Sequence, residues 1–420
     1  MFMSTDRQHT TSAVVIIGVL FFLFGFVTWI NGPLISYLKI VCELDSGAEP
    51  FYVTFAFYIA YFVTALPMAW VLGKTGMKRG MMYGLFTMAL GALLFIPAAQ
   101  TRSYGLFLAG LFVIGTGLSL LQTASNPYIT VVGPIESAAA RISVMGICNK
   151  LAGVLAPFAL GALLLADADT LQADLEALQG PLLAARLDEL AQRVVMPYGV
   201  MAACLVALGL MVNFSGLPEL DPEVDAPGVA TDGRGIFSFP NLVWGVLALF
   251  LYIGVEVMAG DTIVVYGTAI GLPLGEAKHL TSYTMAGMVV GYVLGIMAIP
   301  RFISQSKALA VSALAGVVLT IGATQLQGYA SVLCIAGLGL ANALVWPAIW
   351  PLAINGLGRH TKTGSALLIM AIAGGAVLPL VYGKLAVEPG IGHQNAYWMM
   401  VPCYLFILWY GMKGHKRLNW

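Results

Sequence analysis

The chain has 420 residues, of which 59% are hydrophobic and only 10% charged, and its 20 basic residues balance 20 acidic ones. Soluble domains carry roughly 25% charged residues, so this composition excludes an ordinary soluble domain and indicates a membrane protein with many spans. Because the net charge is zero and the basic residues lie in short loops, the sequence also argues against nucleic-acid binding.

The first predicted element is a long apolar segment, "SAVVIIGVLFFLFGFVTWINGPLISYL", close to the N-terminus. It is too long for the core of a signal peptide and no small-x-small cleavage site precedes its end, so we expect it to remain as a span. A window of about 19 residues, near the ~20 needed to cross ~30 Å of hydrocarbon, finds eleven more. The twelve predicted spans are centred near residues 25, 60, 89, 118, 152, 204, 253, 288, 316, 342, 374 and 404.

Two segments between the spans are too polar to cross the bilayer. Residues 167–193 combine leucines at helical spacing with six acids and two arginines, which predicts an amphipathic surface helix between spans 5 and 6. Residues 213–241 are rich in Pro, Gly and Asp, which is typical of a linker. The expected division is an N-terminal half (1–214), a linker (215–238) and a C-terminal half (239–420).

The distribution of Lys and Arg among the loops predicts the orientation. Thirteen of them lie on the side of the termini and six on the opposite side, while Lys150 lies inside the membrane. By the positive-inside rule, both termini and the linker are cytoplasmic, and the 167–193 helix is extracytoplasmic.

The two halves carry related sequences. A shift of about 220 residues aligns Gln122 with Asn342, Gly153 with Gly374, and "SNPYI" with "VWPAI", so spans 4 and 5 resemble spans 10 and 11. The predicted fold class is therefore an all-α membrane protein with twelve transmembrane helices. Its two six-helix halves, related by a pseudo-twofold axis, form the major facilitator arrangement, with a substrate site between them at the midplane.

Polar side chains form a stripe in each half. Gln122 and Asn126 lie four residues apart on one face of span 4, and Asn342, Trp346 and Trp350 repeat that spacing in span 10. Amides that pair with hydroxyls and indoles that pack on the C–H face of a ring suit a sugar. The alternative is structural: amides that join helices at about 0.6 kcal/mol each, and tryptophans that serve as packing or interfacial anchors.

Three charged residues fall inside predicted spans, where each costs at least ~2.5 kcal/mol and marks a functional site by default. Glu256 lies near the centre of span 7 and is our candidate for a working carboxylate, either for sugar or for a coupling ion. Asp261, five residues later, lies roughly 140° further around a regular helix, so it is not expected to share that site and is more typical of a helix end or gate. A structural ion pair between Lys150 and Glu256 is the alternative.

No enzyme motif competes with a transport function. The five histidines fall in loops or termini, and H-E-x-x-H, G-x-S-x-G and Walker A sequences are missing. The five cysteines show no C-x-x-C spacing and are expected to be free thiols. Transport energy must then come from an ion gradient or from the substrate's own gradient.

Several strings resemble a known family, among them "FFLFGFVTWINGPLISYLK", "LFLAGLFVIGTGLSLLQTASNPYITVVGP" and "GSALLIMAIAGGAVLP". They are similar to the fucose/galactose/glucose branch of the major facilitator superfamily, and within it to the bacterial glucose/galactose transporters. The resemblance implies monosaccharide uptake by alternating access in a bacterial inner membrane.

One departure from the branch bears on the coupling ion. The proton-coupled fucose symporter of this branch carries an Asp in helix 1 and a Glu in helix 4. By the resemblance, the matching positions in this chain are Gly32 and Gln122. Glucose/galactose members of the branch are sodium-coupled, so we expect sodium, with Glu256 as the available charge. Asn149 matches an amide that the fucose symporter uses in helix 5.

These observations define a set of candidate residues and partners. Candidate sugar-binding residues are Asn31, Gln122, Asn126, Asn149, Glu256, Asn342, Trp346 and Trp350, and candidate ion-coupling residues are Glu256, Lys150 and Asp261. The expected partners are a monosaccharide, sodium and the lipid bilayer, for a monomer without cofactor or enzyme activity. The sequence does not assign sodium ligands. Three alternatives stay open: a proton-coupled sugar symporter, a drug or lipid exporter of the same fold, and a non-transporting sugar sensor.

Overall fold

The computed structural model describes residues 2–45, 47–131, 138–217, 235–299, 301–357 and 360–417, and these residues contain helices and turns without a β-strand. Spans 1 to 6, in chain order, are Phe2–Trp29 with Asn31–Val41, Tyr52–Thr75, Met77–Leu93 with Phe95–Thr101, Tyr104–Val131, Ala138–Leu164, and Val195–Phe214. Spans 7 to 12 are Pro240–Val257 with Ile263–Ala269, Leu280–Ala298, Gln305–Gln325, Gly328–Asn342 with Val345–Ile354, Thr361–Met370 with Gly374–Ala386, and Met400–Met412.

The predicted fold class is confirmed. Within the described residues, eleven helical segments are long and apolar enough to cross a membrane. Span 12 is the remaining one, a 13-residue helix that follows the short turns Gly392–Asn395 and Ala396–Met399. Of the predicted linker 215–238, residues 218–234 lie outside the described residues. The end of the linker forms a short 3-10 turn, Ile236–Ser238.

Proline explains two interruptions of the spans. Span 1 breaks after Trp29, four residues before Pro33, and span 10 breaks at Ala343, four residues before Pro347. A proline ring clashes with the carbonyl group four residues earlier and removes one backbone hydrogen bond, so a helix breaks there. Pro67 and Pro379, by contrast, lie inside unbroken helices, as do Pro127 and Pro157.

The predicted amphipathic helix at 167–193 is wrong in one respect, because the structure has two helices there. They are Ala168–Ala177 and Pro181–Gln192, separated by Gly180, whose φ of 58° is left-handed and easily adopted only by glycine. We call this helix pair the cap, and the end of the bundle that carries it the distal side; span 1 begins and span 12 ends at the opposite end. Leucines buried on the inner face of the cap hold it against the spans.

Charged residues of the cap form a network around Asp167. This carboxylate accepts hydrogen bonds from Arg193 at 2.5 and 2.8 Å and from Arg186 at 2.6 Å. The hydrogen bonds from Arg193 are the main reason that the pKa of Asp167 is lowered to about 2. The two arginines counted in the sequence therefore neutralise the carboxylate that begins the cap.

The two halves repeat the same close helix packing, as the duplicated sequence predicts. In the N-terminal half, a Cβ atom on Gly115 of span 4 would lie 2.2 Å from the carbonyl oxygen of Phe57 in span 2. In the C-terminal half, a Cβ atom on Gly339 of span 10 would lie 1.9 Å from the carbonyl oxygen of Thr284 in span 8. Matching spans therefore meet backbone to backbone in both halves.

The halves contact each other on the distal side of the midplane. The Lys278 Nζ donates to the carbonyl oxygen of Leu165 at 2.9 Å, and the Ser282 hydroxyl donates to the carbonyl oxygen of Val154 at 2.8 Å. Lys278 lies just before span 8 and Ser282 in its first turn, while Leu165 directly follows span 5 and Val154 lies inside it. We call this contact the distal seal.

We expect Asp167→Asn to lower the free energy of unfolding by about 1 kcal/mol at pH 7, because two arginines lose a charged partner. The folded-state pKa of Asp167 is about 2, below its ordinary value of 3.8, so the stabilisation is complete above that ordinary value. It is lost only as the pH falls through about 2. Thermal unfolding of both proteins in detergent should therefore give the same difference in Tm at pH 7, 6 and 5.

Asp174→Asn is the matched control, since Asp174 lies 3.9 Å from Arg186 and is half exposed. This control should unfold at nearly the wild-type temperature. A Tm difference for Asp167→Asn that disappears between pH 7 and pH 5 would contradict the lowered pKa.

Candidate functional site

An ion pair joins the two halves at the centre of the molecule. The Lys150 Nζ of span 5 lies 2.8 Å from Glu256 Oε1 of span 7, and the two side chains are only 9% and 6% exposed. A pair this deeply buried is stable while both partners are present, whereas removing one partner leaves an uncompensated charge. Each half therefore supplies a charge that the other half neutralises.

Aromatic residues surround the ion pair. The Lys150 Nζ lies 4.5 Å from the centre of the Trp29 ring, a cation–π distance. Tyr58, Tyr252 and Tyr292 are buried close enough to Glu256 to interact with its charge. The pair therefore lies in a cage that offers ring faces and hydroxyl groups.

The amide stripe of span 4 leads to this cage. The Gln122 Nε2 donates to the Tyr61 hydroxyl at 3.1 Å, and Tyr61 stacks on Tyr58 with ring centres 6.3 Å apart. Asn126 lies one helical turn further along span 4, and both amide side chains are half-buried. The structure thus brings Gln122 into contact with the aromatic cage.

The matching stripe of span 10 divides into two parts. Asn342 is fully buried, its Oδ1 accepts from the Tyr404 hydroxyl at 2.9 Å, and its Nδ2 has no partner among the described atoms. Trp346 and Trp350 lie against each other with ring centres 5.3 Å apart, half-buried on the apolar core. Among the described contacts, none joins these tryptophans to the ion pair, so their place beside a sugar stays a prediction.

Two further candidate amides, both from the N-terminal half, differ in their surroundings. Asn149 is half-buried and its Nδ2 donates to the carbonyl oxygen of Phe21 in span 1 at 3.4 Å, a long bond. Asn31, just past the break in span 1, is fully buried, and neither polar atom of its side chain has a protein partner in the described residues. Since buried amides are normally bonded, Asn31 is available to a ligand.

The position of Asp261 differs from the expected one. Met258–Thr262 form a π-helical turn, in which each N–H group donates to the carbonyl group five residues earlier. The angle of 140° between Glu256 and Asp261, calculated for a regular helix, therefore does not apply. Asp261 is fully buried and accepts from the Thr54 hydroxyl at 3.5 Å. Tyr58 lies near both Asp261 and Glu256. The two carboxylates therefore flank one tyrosine instead of occupying separate surroundings.

Sequence reasoning missed the aromatic members of the site. Trp29, Tyr58 and Tyr61 contact the candidate residues, yet none of them belongs to an amide stripe. The spacing of Tyr58 and Tyr61, three residues apart on one helix face, was the available signal. In a chain with 11% aromatic residues, that signal does not stand out.

The position of Gly32 is closely packed. A Cβ atom there would lie 2.4 Å from Thr281 Oγ1 and 3.3 Å from the carbonyl oxygen of Gly260. Span 8 thus occupies the volume that a larger side chain at position 32 would need in this state.

Comparison with known proteins gives a consistent result. The model of the Major Facilitator Superfamily matches residues 17–380. The chain is 35% identical to the glucose/galactose transporter of Brucella abortus over 417 residues, covering 98% of this chain and 96% of that one. It is 30% identical to the L-fucose-proton symporter of Escherichia coli over 380 residues, covering 88% and 86%. The crystal structure of the transporter FucP in the outward conformation superposes with a TM-score of 0.74 at 28% identity, covering 96% and 98%.

We expect Glu256→Gln to destabilise the protein by about 3 kcal/mol, because it leaves the Lys150 cation buried without a counter-charge. The double variant Glu256→Gln with Lys150→Met removes both charges and should recover most of that loss. Thermal unfolding of both variants and of Lys150→Met alone completes the double-mutant cycle. Additive effects of the two substitutions would contradict a direct pair.

Proposed function

This chain belongs to the major facilitator superfamily, and we propose that it imports a monosaccharide of the glucose/galactose type by alternating access, in symport with sodium. The observation that carries this proposal is the buried ion pair of Lys150 and Glu256, which joins the two halves beside the amide of Gln122. The names of the relatives support a sugar as the substrate.

The cage suits a sugar chemically. The Glu256 carboxylate accepts from Lys150 and from the Tyr252 hydroxyl, and its remaining lone pairs can accept hydrogen bonds from sugar hydroxyls. Gln122 and Asn31 each offer an amide side chain. An amide can donate a hydrogen bond to one sugar hydroxyl and accept one from its neighbour.

Alternating access follows from the duplicated fold. The halves touch through the distal seal, so the site has to open to that side by breaking the bonds of Lys278 and Ser282. We place the termini in the cytoplasm of a bacterial inner membrane, as the loop charges favour, and expect the transporter to act as a monomer.

Sodium is favoured over protons by the residues at two positions. Gly32 and Gln122 carry no titratable group, and Gly32 is packed too closely against Thr281 for a carboxylate in this state. The principal alternative is proton coupling, which the L-fucose-proton symporter of Escherichia coli has by name. A drug or lipid exporter would need a broad apolar cavity, and the amides and charges around Lys150 argue against it.

Sugar uptake into proteoliposomes should rise with an inward sodium gradient and survive collapse of the proton gradient. Counterflow of labelled glucose or galactose is the matching test of transport itself, because a sugar sensor gives none and an exporter of apolar compounds does not recognise sugar. Uptake that is unchanged when choline replaces sodium would exclude sodium coupling.

Gln122→Ala and Asn126→Ala should each weaken sugar binding by ~1 to 3 kcal/mol, because sugar hydroxyls lose their partners in a desolvated site. The affinity is measured by titration of labelled sugar in detergent. Gln100→Ala removes an exposed amide at the distal end of span 3 and is the control. If both site variants bind sugar as tightly as that control, the amides join helices and do not contact the substrate.

A further inference from the structure

The buried charges near the midplane do not balance. Lys150 and Glu256 neutralise each other at 2.8 Å, which leaves the carboxylate of Asp261, 0% exposed. Among the described residues, no Lys, Arg or His lies within ion-pair distance of Asp261. The nearby charge of Glu256 is of the same sign. An isolated buried carboxylate is strongly unfavourable, so Asp261 requires a bound cation or a proton.

Hydrogen bonds from the protein do not satisfy this carboxylate either. Its Oδ2 accepts one long bond of 3.5 Å from Thr54, and its Oδ1 has no partner in the described structure. The neighbouring carbonyl groups have shorter hydrogen bonds. The Thr281 hydroxyl donates to the carbonyl oxygen of Gly260 at 2.7 Å, and the Thr284 hydroxyl donates to that of Ala259 at 3.2 Å. The carbonyl groups of Ala259 and Gly260 in the π-helical turn therefore have side-chain donors, whereas the Asp261 carboxylate has a single long bond.

Other unpartnered oxygens are buried around the same turn. The Tyr58 hydroxyl, 3% exposed and close to Asp261, has no described partner. The Asn31 side chain is equally unpaired, and the next residue, Gly32, packs against the carbonyl group of Gly260. Carboxylate, hydroxyl and amide oxygens are the ligands that hard cations prefer.

We propose that Asp261, and not Glu256, holds the coupling sodium ion, with the unpartnered oxygens of Tyr58 and Asn31 and the Thr54 hydroxyl as its further ligands. This assignment rests on the proposed sodium symport. Asp261 belongs to the C-terminal half, whereas the other three residues belong to spans 1 and 2. An ion bound here ties the two halves together beside the distal seal, next to the sugar cage, and Tyr58 is shared by both sites.

The test compares Asp261→Asn with wild type, because asparagine keeps the volume and the bond from Thr54 but removes the charge. Thermal stability is measured in detergent with NaCl or with choline chloride at equal ionic strength. Sodium should raise the Tm of the wild type and leave that of Asp261→Asn unchanged. Asp45→Asn, the same change in an exposed loop, should respond to sodium as the wild type does.

Transport provides the second readout. In proteoliposomes, Asp261→Asn should still exchange labelled sugar by counterflow, while its accumulation ratio in a sodium gradient falls to 1. Glu256→Gln should show the opposite pattern. Sodium should still raise the Tm of this variant, whereas its affinity for sugar should be lost. This contrast separates an ion ligand from a sugar ligand.

The possible failures are distinguishable. The assignment of Asp261 alone is overturned by one pair of results. The wild type shows sodium-dependent uptake, and the Asp261→Asn variant keeps both the rise of its Tm in sodium and its sugar accumulation. Wild-type protein without sugar counterflow overturns the proposed function. Wild-type uptake driven by a proton gradient and indifferent to sodium overturns sodium at both levels.

Discussion

The low dielectric of the bilayer is the constraint on which this structure depends. A charge is tolerated there only if something cancels it. Lys150 and Glu256 cancel each other, and because they come from different halves, their attraction acts across the interface between the halves. Asp261 is not cancelled by the protein. The same rule makes the first pair a connection between the halves and is the reason that we propose a cation at the lone carboxylate.

Hydropathy predicted the spans and the duplication predicted the matching halves, because both depend on local composition and repeated spacing. The breaks before Pro33 and Pro347 were also predictable, since proline acts on its own helix. The π-helical turn at Met258–Thr262 was not, because its backbone is stabilised by contacts with span 8 such as the bond from Thr281. The angle of 140° calculated for a regular helix therefore does not apply to Asp261.

The candidate site shows a similar division. The charged residues and Gln122 stand out in an apolar sequence, and the structure gathers them around one cage. The tyrosines of that cage do not stand out, because aromatic residues are common in membrane spans and only packing shows which of them face inward. Asn342 illustrates the limit of repetition: it matches Gln122 in sequence, yet it is fully buried and bonded to Tyr404, while Gln122 is half-buried.

The distal seal has a genetic consequence. Both of its bonds run from side chains at the beginning of span 8, Ser282 and the preceding Lys278, to main-chain oxygens of span 5 and of the residue that follows it. Main-chain acceptors are present whatever residue occupies the position, so changes at Leu165 or Val154 leave the acceptors in place. Selection can therefore lengthen or shorten the lifetime of the closed state by altering span 8 alone, without compensating substitutions in span 5. Paired substitutions between these two spans would therefore be a poor guide to these two bonds.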